Sequence, residues 1–171
     1  MKQNFDYALT HVLKHEGGFV CHKDDPGGMT NLGCTKAVWE EWVGHEVTEK
    51  TMRSLTANDV SPLYKRKYWD KVKADELPAG IDYCVFDAAI NSGPGRAIKF
   101  LQGVLGVDQD GNIGPKTMAA IKAFDAKDLI QDYSKRRLSF LMDLKHWPTF
   151  GKGWAKRVSE VEKTALTMAG G

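Results

Sequence analysis

Apolar residues recur along most of the chain at intervals of three and four, which is helical spacing. Phe5, Ala8, Leu9, Val12 and Leu13 form the first such stripe, and Gly17-Gly18 predicts its end. The periodicity then lapses until residue 33. That stretch carries Asp24-Asp25-Pro26-Gly27-Gly28, a turn-forming cluster, with short strands expected over 18–21 and 28–33. Thr35 is placed to cap a helix over 36–43. Thr56 with Asp59 has the spacing of a capping box and opens a helix reaching Leu63, Tyr64 and Tyr68. Pro62 conflicts with that start and offers a later one, as a first-turn proline.

Downstream, Pro78 leads into a helix whose expected buried stripe is Ile81, Cys84, Val85, Ala88 and Ala89, stopped by Asn91-Ser92-Gly93-Pro94. Further helices are expected over 96–105, from Pro115 to about Phe124, over 126–144 and over 154–167, with Trp147-Pro148 as a break. The pattern is mainly α with eight or nine helices, and one small loop and β region near the N-terminus.

Composition narrows the class. The chain has 171 residues, long enough for one domain that buries roughly 70 % of its unfolded surface without a metal or disulfide staple. The 24 basic and 22 acidic residues leave a net charge of +2, too little for a dedicated nucleic-acid binder. No apolar run approaches the ~20 residues of a membrane span, and no apolar leader core follows Met1. A protein made and kept in the cytoplasm is expected, with no membrane insertion. Cys21, Cys34 and Cys84 read as free thiols of a reducing compartment. Their spacing with His22 lacks the paired ligands of a zinc site, and no cofactor is expected.

The chemically suggestive stretch is 15–35. Glu16 closes the first helix, two glycines follow it, Asp25 lies nine residues on in the turn cluster, and Thr30 comes five later. An acidic residue at a helix C-terminus opposes the helix dipole, which marks Glu16 out. Two carboxyls and a hydroxyl fit acid–base chemistry on a water: one carboxyl donates a proton to a leaving group, the other stays ionised. The plain alternatives are a solvated helix-end glutamate, a turn-forming aspartate and a strand hydroxyl. Tyr68, Trp69, Asn91 and Tyr133 are candidates for contacting a substrate; for Trp69 and Tyr133 the competing reading is core packing, and for Asn91 a helix cap. Asp87, within an apolar stripe, reads as structural support. Over 135–163 eight basic residues face three acidic ones, a flank suited to an anionic polymer or simply a solvated face.

The stretch from Glu16 to Thr35 resembles glycoside hydrolase family 108, whose motif runs approximately E-G-G-[YF]-V-x-D-P-x-D-P-G-G-x-T-[NY]-x-G-I-T. Further blocks follow in order. Tyr64-Lys65-x-Lys67-Tyr68-Trp69 is similar to Y-K-x-x-Y-W, and Phe86-Asp87-x-Ala89-x-Asn91-Ser92-Gly93 is similar to F-D-x-A-x-N-x-G. Asp110-Gly111-Asn112-Ile113-Gly114-Pro115-x-Thr117 resembles the D-G-x-I-G-P-x-T of a peptidoglycan-binding-like segment, and Phe150-x-x-Gly153-Trp154-x-x-Arg157 the usual ending. There are departures. Cys21-His22-Lys23 replaces an N-D-P run, Asp24 is an additional acid beside Asp25, Leu32 replaces an aromatic, and Cys34 replaces isoleucine.

The resemblance implies a lysozyme-like α fold, with a catalytic part over 1–94 and a helical, peptidoglycan-binding-like part over 95–171, packed as one compact unit. It implies cleavage of the β-1,4 bond after N-acetylmuramic acid. Glu16 matches the catalytic glutamate, Asp25 the aspartate before P-G-G, and Thr30 the threonine of related phage lysozymes. The expected partner is bacterial peptidoglycan, the expected state a monomer. The expected role is that of a phage endolysin, made in the host cytoplasm and released through a pore to the wall. A lytic transglycosylase, or a non-catalytic protein that binds the wall or assists secretion, are the alternatives on the same fold.

Overall fold

The computed structural model describes residues 1–21 and 28–170. Among them are nine α-helices and a two-stranded antiparallel sheet, so the mainly α, lysozyme-like class read from the sequence is the one observed. The chain divides into two compact units, Asp6–Lys67 and a discontinuous one of Met1–Phe5 with Tyr68–Gly171. The boundary expected at residue 94 falls inside the second of these.

The unit Asp6–Lys67 carries most of α1 (Phe5–Glu16), then β1 (Thr30–Asn31), β2 (Cys34–Thr35), α2 (Lys36–Val43), α3 (Glu49–Arg53) and α4 (Ala57–Tyr64). Ala8, Leu9 and Val12 form the buried face of α1, as the spacing predicts. The Thr35 hydroxyl accepts from the Val38 amide at 3.1 Å and starts α2 where expected. The Thr56–Asp59 capping box is complete, and it overrides the proline. α4 begins at Ala57 and runs through Pro62, followed directly by a π-helical turn over Lys65–Trp69. The short helix α3, capped by Thr48, is absent from the sequence reading.

The second unit holds α5 (Ile81–Ser92), α6 (Pro94–Leu105), α7 (Pro115–Ala123), α8 (Ala126–Met142) and α9 (Trp147–Gly170). α5 is its centre and packs on α6, α8 and α9. All nine residues from Ile81 to Ala89 are buried, so α5 has no solvent face along that length where a stripe was expected. Asp87 within it is fully buried. Arg137 of α8 donates to Oδ2 at 2.7 Å, and Arg157 of α9 donates from Nη2 to Oδ1 at 3.0 Å. Two guanidiniums on one carboxylate offset the cost of taking these charges out of water. Asp87 therefore ties α5, α8 and α9, the supporting role expected of it. Asp82 is equally buried: its Oδ2 accepts from the Met1 ammonium at 2.7 Å and from the Asn4 side chain at 2.9 Å. Pro148 lies at the second residue of α9, so Trp147-Pro148 opens that helix seven residues earlier than expected.

Candidate active site

Glu16 is the last residue of α1 and is half-buried. The chain leaves the helix through Gly17, whose amide donates back to the Leu13 carbonyl at 3.2 Å and whose φ of 78° turns the backbone sharply. Val20 then runs antiparallel to Thr30, exchanging two backbone hydrogen bonds of 2.8 Å. Thr30 pairs on its other side with Thr35, and Asn31 with Cys34. Thr30 thus lies between two neighbouring segments, its backbone held on both sides.

The two residues joining β1 to β2 are Leu32 and Gly33, at φ 53° and 75°. Both are positive, as a two-residue type I′ hairpin requires. Glycine adopts that conformation readily; leucine is strained there. Gly33 is also confined. A Cβ on it would lie 2.8 Å from Oε2 of Glu16 and 2.6 Å from the Tyr64 hydroxyl. The Glu16 carboxyl and the Tyr64 hydroxyl therefore converge on a backbone position that has no side chain. Tyr64, buried in α4, donates its hydroxyl to the Leu32 carbonyl at 2.6 Å and fixes the turn.

The hairpin is anchored at its other end by Asn31. Its buried side chain donates to the Met52 carbonyl at 2.8 Å, at the end of α3. Arg53 of the same helix stacks on the Phe19 ring, 4.2 Å from its centroid. Glu16 is thus presented on a helix end against a short, doubly anchored hairpin. Asn31, Gly33 and Tyr64 supply that support, and the sequence reading did not single them out as site residues. A two-residue Leu-Gly link between Thr-Asn and Cys-Thr was the available hairpin signal.

Asp25, with the neighbouring Asp24, lies outside the described residues. Tyr68 and Asn91 both keep accessible surface, Asn91 in the last turn of α5. Trp69 does not. It has no exposed area, its ring meets Phe5 and Phe86 edge-on at 5.3 and 5.2 Å, and its Nε1 donates to Asp75 at 2.7 Å. Tyr133 is likewise buried, with its hydroxyl donating to the Ala97 carbonyl at 2.9 Å. Neither ring presents a face to a sugar, and for both the core reading replaces the platform reading. Among the described residues no three His, Cys, Asp or Glu side chains are gathered to ligate a metal, and no helix is long and apolar enough to cross a membrane.

Residues 9–93 match the family model of glycosyl hydrolase 108, and residues 96–159 match that of a predicted peptidoglycan domain. Among solved structures the chain is similar to SagA of Brucella abortus, with 46% identity and a TM-score of 0.86 over 99% of this chain and 97% of that one. No curated protein matches it. A glutamate held at a helix end over a hairpin, the two consecutive family matches and the full-length likeness to SagA lead to one conclusion: the chain belongs to glycosyl hydrolase family 108 and is a glycoside hydrolase acting on peptidoglycan.

Proposed function

We propose that this protein is an N-acetylmuramidase that cleaves the β-1,4 bond between N-acetylmuramic acid and N-acetylglucosamine, with Glu16 as the proton donor. The supporting observation is the seating of the half-buried Glu16 carboxyl on the Gly33 turn beside the Tyr64 hydroxyl. A carboxyl held in this way can protonate the glycosidic oxygen as the bond to the anomeric carbon breaks. Positive charge then grows on the muramic ring. Asp25, ionised, stabilises that charge and with Thr30 orients a water, whose oxygen bonds to the anomeric carbon while its proton leaves to the carboxylate. The products are a free reducing muramic end and a free hydroxyl on the glucosamine. In this reading the protein is a monomeric phage endolysin, made in the host cytoplasm and acting on the wall after passage through a pore.

The test is turnover of purified peptidoglycan by the wild type and by Glu16→Gln, with fragments reduced and identified by mass spectrometry. The wild type should release reducible muramic ends. The folded variant should lose at least about a hundredfold in rate, the lower end of what a positioned general acid contributes. Anhydro-muramic ends would assign a lytic transglycosylase instead. Unchanged cleavage by Glu16→Gln would remove this residue from the mechanism, and binding without cleavage by the wild type would leave a wall-binding protein.

A further inference from the structure

Away from Glu16, α6 and α8 enclose a cleft of about 460 Å³ within the segment that matches the peptidoglycan domain. Its walls follow from helical spacing. α6 contributes Arg96, Lys99 and Phe100, spaced at i, i+3 and i+4, and α8 contributes Lys135, Arg136 and Phe140. The four cations are exposed, and among the described residues none of them forms an ion pair. A single acid, Asp143, lies on the same cleft.

Two of the cations, Arg96 and Arg136, are held in place. The Arg96 guanidinium sits 5.0 Å from the Phe140 ring centroid, and Phe140 packs 5.1 Å from Phe100. The Arg136 guanidinium lies over Gly103, where a Cβ would come within 2.4 Å of its Cζ, and it donates to the Gln109 side chain at 3.3 Å. The cleft therefore combines four positive charges, of which the two guanidiniums are anchored, with neighbouring aromatic rings, and it is bounded rather than a continuous track.

We propose that this cleft is a second wall-binding site, taking the carboxylates of the peptide stem that peptidoglycan carries on muramic acid. Guanidinium and ammonium groups pair with the stem carboxylates, and the partly exposed Phe140 ring receives its small aliphatic side chains. A bounded cleft of this size fits a few residues of peptide. The assignment rests on peptidoglycan as the substrate, and it does not depend on which glycosidic bond is cut.

A synthetic stem tetrapeptide with free carboxylates, titrated into the full-length protein and followed by amide NMR shifts and calorimetry, tests it without any cleavage step. The expected result is binding with shifts confined to α6 and α8, weakening as salt rises. The Arg96→Gln/Lys135→Gln/Arg136→Gln variant should bind at least about tenfold more weakly, and the Arg96→Lys/Lys135→Arg/Arg136→Lys variant should recover most of the affinity. In turnover, the wild type's preference for peptide-bearing wall over glycan stripped of peptide should collapse in the charge-removed variant. Equal affinity for a stem amidated at its carboxylates would overturn the proposal. So would shifts elsewhere in the molecule, or binding of a wall phosphodiester polymer with none of the stem. A protein that binds the stem but yields no reducing ends would sink the muramidase reading alone; one that cleaves but ignores the stem would sink this one alone.

Discussion

Gly33 carries two demands that no other residue type meets. Its φ of 75° lies where a Cβ is strained, and the space a Cβ would take is occupied by the Glu16 carboxyl and the Tyr64 hydroxyl. Gly33→Ala should therefore do more than destabilise. The strain costs about 1–2 kcal/mol, while the clash displaces the carboxyl itself. Peptidoglycan turnover is expected to fall at least about tenfold, with a thermal midpoint lower by only about 2–8 °C. Retained turnover in that variant would show that Glu16 does not need this seat. Glu16 was legible in the sequence because a glutamate ending an amphipathic helix before Gly-Gly is conspicuous. Gly33 was not, since its confinement comes from Tyr64, whose contact with the turn spans 32 positions. Trp69 and Tyr133 misled for a related reason. Periodicity says that a ring lies on a helix, but which partner takes its polar atom depends on Asp75 and on the Ala97 carbonyl.

Elements were most legible where a cap announces them. Thr35 and Thr56 each accept from the backbone of the helix they precede, and those helices begin where the caps predict. The capping box at Thr56 outweighs Pro62, because a proline six residues into a short helix forfeits one amide bond while the box satisfies two orphan groups. Thr56→Ala should accordingly cost about 1 kcal/mol, seen as a drop of about 2–4 °C in thermal midpoint. No change would mean that packing of Val60, Leu63 and Tyr64 alone sets where α4 begins. α3 escaped the sequence reading because five residues are too few to show a period, and only its Thr48 cap marked it. α5 was read as a stripe because periodicity picks out only its apolar positions. Asp87, expected as structural support, and Asp82 are both turned inward to cationic partners.

At the scale of the molecule, charge is spent in two distinct ways. The basic flank over 135–163 reads as one surface, yet Arg137 and Arg157 point inward to Asp87. Lys135 and Arg136 instead join Arg96 and Lys99 on the α6–α8 cleft. Burial pushes the Asp87 carboxyl up, but Arg137 and Arg157 overcome this and hold it below the usual carboxylate range. A carboxylate with a depressed folded-state pKa contributes its full stability above its unfolded value of about 4, and that stability drains away as the pH falls below it. Denaturant midpoints are expected to hold between pH 7 and 5 and to fall between pH 4 and 3. A midpoint unchanged down to pH 3 would show that the two arginines do not stabilise the ionised form.

The discontinuous unit has a further consequence for synthesis. Asn4 reaches Asp82, and Phe5 packs on Trp69 and Phe86, so these early residues complete a core whose other members emerge from the ribosome only after the whole of Asp6–Lys67. That core cannot close in the order in which the chain is made. Asp6–Lys67 is available first, as an insertion in an unfinished neighbour. The first five residues must wait, apolar side chain exposed, until α5 arrives.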